Sequence, residues 1–297
     1  MYPPKRIPVI ALANQKGGVG KTTTAVNLAA CMAAQNKQVL LIDLDPQANA
    51  TSGLGFEKRE KQSLYPVLLG NAILAEKIQS TPYERLDFIP SEVDLAGAEV
   101  DMAQSDHYLH RLREAIQPIQ NSIRYDLILI DCPPSLGILT MNALAAATAV
   151  IIPMQCEYFA LEGLSVMTRL IERLQESGSN PSLHLEGIIM TMHDGRTNLA
   201  RQVVDEVHAH FGRLVYDTLI PRSVRLSEAP SFGKPVIEYD QHCSGSIAYQ
   251  ELANEFIRRN FRMATSTENI SLPLDTDVEP MSSPEQATEK SDYPHVG

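Results

Sequence analysis

Asn14-Gln15-Lys16-Gly17-Gly18-Val19-Gly20-Lys21-Thr22-Thr23 packs three glycines, two lysines and two hydroxyls into ten residues. It follows an apolar run, Pro8 to Ala13, and opens a helix-forming run, Thr24 to Ala34, so it falls where a strand turns into a helix. Glycines at 17, 18 and 20 let backbone N–H groups converge on an anion, and a helix beginning near Lys21 adds its positive N-terminal dipole. This is the chemistry of a phosphate cradle. Lys21 would reach the β- and γ-phosphates of a nucleotide, and the Thr22 hydroxyl would ligate magnesium.

Two further stretches place acids where that chemistry needs them. Gln38 to Asp43 reads as a buried strand and runs into Asp43-Leu44-Asp45-Pro46-Gln47; Tyr125 to Asp131 reads as another and runs into Cys132-Pro133-Pro134-Ser135-Leu136-Gly137. Acids at the carboxyl ends of parallel strands face the ligand crevice of an open sheet. Asp131, in a Walker B arrangement, would hold magnesium through water or accept from Thr22. Asp43 is either a site acid or a structural one capping the strand end.

The usual phosphate-loop pattern has Gly six residues before its Lys, where this chain has Gln15. Its K-G-G-V-G-K-T form, with Lys16 directly before the paired glycines, resembles the deviant P-loop of the ParA/MinD ATPases. Gln155-Cys156-Glu157-Tyr158-Phe159-Ala160-Leu161-Glu162-Gly163 and Thr191 to Asn198 resemble the ParA/Soj branch in particular. The resemblance spans residues 7 to about 262. It implies an α/β P-loop NTPase with a mostly parallel, doubly wound twisted sheet and helices on both faces. It also implies that Gln15, Lys16, Gly17, Gly18, Val19, Gly20, Lys21, Thr22 and Thr23 hold ATP with Mg2+, and that Pro221 and Arg222 lie against the adenine.

By the same resemblance Asp45, not Asp43, is the acid needed for hydrolysis, and it joins Thr22 and Asp131 around the metal. Lys16 would cross a dimer interface to the partner's nucleotide, making Lys16, Lys21, Asp45 and Asp131 the catalytic set. Non-specific double-stranded DNA would be bound by the ATP dimer through Arg196, Arg222 and Arg225, so Arg222 carries two expectations. A ParB-like centromere-binding protein would stimulate hydrolysis. Many relatives carry arginines near Asp240 to Ser246, and this chain does not.

Composition bounds the alternatives. The chain has 297 residues, 44% of them hydrophobic, enough to bury a sizeable core. Neither an apolar N-terminal leader nor an eighteen-residue apolar run is present, which predicts a cytoplasmic protein without stable membrane association, nucleoid-associated when ATP-bound. Cys31, Cys132, Cys156 and Cys243 are widely spaced, as expected of buried thiols rather than a zinc site or disulfides. His107 and His110 stand at helical spacing with no third ligand near and read as solvated.

The net charge of −11 is uneven, with −6 on residues 264–297 and −5 on the rest. That last segment, with four prolines and little periodicity, is expected to be a disordered acidic tail after a folded domain of 1–263. It lacks the basic amphipathic helix a MinD-like membrane ATPase needs. Residues 196–234 carry six bases against four acids, a modest excess for phosphate contacts. An iron-protein-like reductase would need cluster-holding cysteines in a glycine-rich setting, which Cys132 and Cys156 lack. An ATPase of this kind that positions a non-DNA cargo is the remaining alternative.

The elements that must position these residues follow from periodicity. Further strands are expected at Leu86 to Pro90, Ala149 to Met154, Leu185 to Met192 and Val215 to Ile220. Short helices are expected at Leu64 to Leu69 and Ile73 to Ile78, and longer ones at Ala96 to Ala103, His107 to Ile119, up to about Glu176, Leu199 to Phe211 and Ala248 to Phe261.

Overall fold

The computed structural model describes residues 7–103, 108–122, 124–157 and 160–261. His107, Tyr158, Phe159 and the expected tail at 264–297, with its boundary at 263, lie outside the described residues.

Strand, loop, helix and strand open the chain: β1 (Val9–Leu12), α1 (Lys21–Ala34) and β2 (Val39–Asp43). Then come α2 (Asn49–Gly53), α3 (Tyr65–Leu68), β3 (Gln79–Ser80), β4 (Leu86–Ile89), α4 (Leu95–Met102), α5 (Arg111–Gln120) and β5 (Leu127–Asp131). The rest is α6 (Ile138–Ala146), β6 (Ala149–Gln155), α7 (Ala160–Glu176), β7 (His184–Thr191), α8 (Asn198–Phe211), α9 (Val224–Glu228), α10 (Val236–Tyr239) and α11 (Ser244–Asn260). The seven strands lie in the order β3-β4-β2-β5-β1-β6-β7, all pairs parallel except the short β3 against β4.

The strands read as unbroken apolar runs because both faces are covered. Alternate residues, among them Ile10, Leu12, Val39, Leu41, Leu127 and Leu129, join α1 and α11 in one core cluster. The residues between them, such as Val9, Ala11, Leu40, Ile42, Ile128 and Ile130, are as deeply buried on the opposite face. Small residues Ala25, Ala29, Ala30 and Ala33 let α1 lie close to the sheet, and Asn36 ends it in the left-handed region (φ 64°). Three thiols are buried as expected, and Cys243 is half-buried.

Three expectations change. His110, expected to be solvated, is half-buried, with its Nδ1 shut away from water in the short turn before α5. The last helix begins at Ser244, four residues earlier than the apolar pattern indicates. Cys243 caps it by accepting from the Ser246 amide (3.3 Å), and Gly245 fits because any Cβ would strike Leu226 at 2.6 Å. Val215 to Ile220 forms no regular strand. It runs beside β7 with two isolated parallel bridges, Ile188 to Val215 and His193 to Pro221. Tyr216 and Ile220 amides reach Ile188 and Met190 carbonyls at 2.9 Å, but the amides of Asp217 and Thr218 turn instead to the Glu255 carboxylate on α11, each at 3.0 Å.

Glu255 also accepts from the Thr218 hydroxyl (2.7 Å) and from Arg259, whose guanidinium reaches the carbonyls of Arg213 and Val215 and lies 4.0 Å from the Tyr216 ring centroid. Burial pushes the Glu255 carboxyl up, but the bonds from Thr218 and Asp217 and the Arg259 charge outweigh it, and its pKa falls below the ordinary value. A carboxylate depressed in this way stabilises the fold at neutral pH and ceases to do so as the pH falls through its folded-state pKa. We expect Glu255→Gln to cost about 1–3 kcal/mol in urea unfolding at pH 7, with the difference from the parent shrinking as the pH is lowered into the acid range.

Candidate functional site

The carboxyl ends of β1, β2, β5, β6 and β7 converge on the turn between β1 and α1. Gly18 (φ 72°) and Gly20 (φ 84°) occupy the left-handed region, so the turn needs glycine there. Surrounding strands hold it from outside. The Asn14 side-chain amide donates to the Pro153 carbonyl (2.9 Å), and its oxygen accepts from the Lys16 amide (3.0 Å). Gln155 donates to the Gly18 carbonyl (3.1 Å), and the Thr191 hydroxyl lies 2.8 Å from the Val19 carbonyl. A trans peptide points its N–H opposite its C=O, so the amides of Val19 and Gly20 face away from these braces.

Both lysines are engaged within the protomer. Lys21, 6% exposed, donates to the Lys16 carbonyl (3.1 Å). Burial lowers its pKa, and Asp131 and Asp45 act in the opposite direction. Lys16, half exposed, meets the equally exposed Glu157 carboxylate at 2.5 Å.

Asp43 and Asp131 are side by side on paired strands and fully buried. Asp43 is the structural acid. It accepts from the amides of Asp45 (3.1 Å) and Thr51 (2.9 Å) and from the Thr51 hydroxyl (2.7 Å), tying the loop after β2 and the start of α2 to the strand end. Burial pushes its carboxyl up to about 6 against those hydrogen bonds. Asp45, 5% exposed, accepts from the Gln47 amide at 2.9 Å.

Asp131 differs from Asp43 in that, among the described residues, neither carboxylate oxygen meets a hydrogen-bond partner at full geometry, the Thr22 hydroxyl standing just short of it. Burial, then the neighbouring Asp43, raises its pKa well above the ordinary value, while Thr22 and Lys21 pull the other way without closing a bond to it. An orphaned buried carboxylate beside a threonine hydroxyl is a donor set that fits a hard divalent cation. Among the described residues no three His, Cys, Asp or Glu side chains converge on a metal position, so such an ion would have to bring further oxygen ligands with it.

Pro221 and Arg222 follow the β7 edge, with the Arg222 amide on the His193 carbonyl (3.1 Å) and the Arg222 side chain exposed. Arg196 is bidentate to Asp194 (2.8 and 2.6 Å), and its bonds hold the Asp194 carboxyl well below the usual range. Arg225 pairs with Glu228 (2.8 Å) and Asp240 (3.3 Å). Arg222 is in no ion pair among the described residues. The two cysteines nearest the site, Cys132 and Cys156, are buried with thiols pushed upward, Cys156 to about 11, unlike cluster-ligating thiolates.

Asn14, Thr51, Gln155, Glu157 and Thr191 had no assigned role in the sequence, yet they set the loop's shape. Four of them stand at or just beyond the carboxyl end of a predicted strand, the position where an open sheet gathers its ligand-facing groups; that rule was the available signal. Thr51, eight residues beyond Asp43 and inside α2, carried none.

A family model described as an AAA domain matches residues 7–185. The chain is 52% identical over 252 residues to the chromosome partitioning protein ParA of Caulobacter vibrioides, covering 84% of this chain and 94% of that one. It is 52% identical over 248 residues to the sporulation initiation inhibitor protein Soj of Bacillus subtilis, covering 83% and 97%. Among solved structures, a cobyrinic acid a,c-diamide synthase from Mycobacterium smegmatis with bound ATP analog and magnesium matches at 35% identity with a TM-score of 0.73, over 88% of this chain and 99% of that one.

Thr51 joins the loop after β2 to Asp43 and to the segment that follows β4. Its hydroxyl donates to Asp43 and accepts from the Ser91 amide at 2.8 Å. Thr51→Val keeps the shape but leaves two buried polar groups short of a partner. It should destabilise the protein by about 1–3 kcal/mol, read as a lowered urea midpoint with an unchanged m-value.

Proposed function

This chain belongs to the ParA/Soj family of chromosome-partitioning P-loop ATPases, and on that premise we propose that it hydrolyses ATP to ADP and phosphate in a nucleotide-gated dimer that binds DNA. The observation that carries the reading is the unpaired, buried Asp131 carboxylate beside Thr22 and Lys21, under a loop whose amides are free to meet phosphate. Gln15 to Thr23 cradle the phosphates, with the Lys21 ammonium moving from the Lys16 carbonyl to the β- and γ-phosphates. Pro221 and Arg222 flank the base. Magnesium, when bound, neutralises phosphate charge, and Thr22, Asp45 and Asp131 are the residues to hold it.

Asp45 positions the attacking water. The loop that carries it is pinned at both ends to Asp43, so a small change at the strand ends re-aims this side chain. Lys16 completes the site of a second copy. Among the described residues a Cβ added to Gly17 would meet only Pro134, at 4.0 Å, so no described neighbour within the protomer demands glycine there; close approach of the partner's loop does. A cation delivered to a γ-phosphate is worth on the order of 10³–10⁵ in rate. Closure therefore depends on the γ-phosphate, and its cleavage lets the copies part.

Bound to ATP, the dimer presents Arg196, Arg222 and Arg225 twice to non-specific duplex DNA. The Arg196 and Arg225 guanidiniums of these ion pairs are exposed, so exchanging a carboxylate for a phosphate there costs little. A ParB-like centromere-binding protein stimulates turnover and releases the DNA. The protein acts in the cytoplasm and gathers on the nucleoid when ATP-bound. No helix among the described residues is long and apolar enough to cross a membrane.

Two assays test this reading. Asp45→Ala should retain ATP, accumulate as a dimer on a sizing column and lose on the order of 10²–10⁴ in turnover; rapid hydrolysis by that variant would remove Asp45 from its role. Duplex DNA binding should require ATP and weaken with salt along a log–log slope of about −5 if all six arginines engage. ATP hydrolysis without any DNA binding at low salt would point to a non-DNA cargo.

A further inference from the structure

We propose that Glu157 is an internal counter-ion that competes with the partner's nucleotide for Lys16 and so sets the ATP level at which two copies close. The inference rests on the cross-interface role of Lys16 given above. In the single protomer the Lys16 ammonium lies against the Glu157 carboxylate at 2.5 Å, with the two side chains 49% and 50% exposed. Glu157 stands two residues beyond the end of β6, and that end is fixed to the loop by two neutral bonds, Asn14 to Pro153 and Gln155 to Gly18. These hold the backbone of both partners in place. The ion pair is the only one of the three contacts that a competing anion can replace.

A phosphate reaching Lys16 from another copy must displace this carboxylate. Lys16 cannot serve both anions at full strength, because it has one ammonium to share and its amide is tied to Asn14, which fixes where its side chain begins. The competition also has a fixed size. An exposed ion pair is worth about 1.5- to 5-fold, and a two-fold symmetric dimer breaks two of them. The closed state is therefore held back about 2- to 25-fold, enough to tune the ATP threshold and too little to prevent closure.

The test is dimerisation of full-length Glu157→Gln, measured by light scattering against a non-hydrolysable ATP analogue, with ADP affinity of the protomer measured in parallel. Removing a carboxylate near the loop raises affinity for any nucleotide, and the ADP titration isolates that effect. We expect a dimerisation constant about 2- to 25-fold higher than the parent's, beyond any gain in ADP affinity, with the difference fading toward 0.5 M salt as screening weakens the pair. In a Lys16→Ala background the same substitution should have no such effect. A constant that is unchanged, lower, or raised only as far as ADP affinity would overturn the proposal. Lys16→Ala dimerising like the parent would instead overturn the cross-interface lysine itself, whatever Glu157→Gln does.

Discussion

Two carboxylates, Asp43 and Asp131, end neighbouring parallel strands and are shut away from water. A buried carboxylate is tolerable only with partners, and the chain resolves the two cases in opposite ways. Asp43 gathers three donors from the loop that follows it and becomes the anchor of that loop. Asp131 gathers none of full geometry among the described residues. The division of labour between a rigid scaffold and a responsive site comes down to which of these two acids is satisfied. Every other element brought to the same sheet edge, the glycine turn, the two lysines and Asp45, is placed relative to that pair.

Much of this was legible from residue types. The strands β1, β2, β5, β6 and β7 are apolar runs that two covered faces require, and the glycine turn announces its own geometry through positions 18 and 20. The segment from Val215 to Ile220 has the same apolar look, but its ladder is broken by Glu255, thirty-five residues farther along the chain, and no local pattern reports a side chain arriving from another helix. The start of α11 was hidden for a similar reason, since Gly245 and Ser246 look like a loop until Leu226 is seen to require a residue without a side chain.

Within the site, the sequence identified groups that would touch a phosphate and passed over those that hold them. Asn14 acts by bonding to a backbone carbonyl of β6, and Gln155 and Thr191 by bonding to carbonyls of the loop itself, a use for which any amide or hydroxyl could qualify. Lys16 was legible as unusual, yet its resting partner Glu157 was not, because an acid 141 positions away carries no mark of the pairing. The arginines present the reverse problem. Arg196 and Arg225 look like free cations in the sequence, and the fold gives each a carboxylate.

The way the sheet ends has a consequence for how copies of this chain can meet. One margin is a two-residue strand running against its neighbour; the other is overlaid by a segment that spends part of its amides on Glu255. Neither offers a long open ladder onto which a foreign strand could be stitched, so uncontrolled growth by edge-to-edge polymerisation is disfavoured. Any contact between copies would fall to other surfaces, which come apart without unravelling a strand.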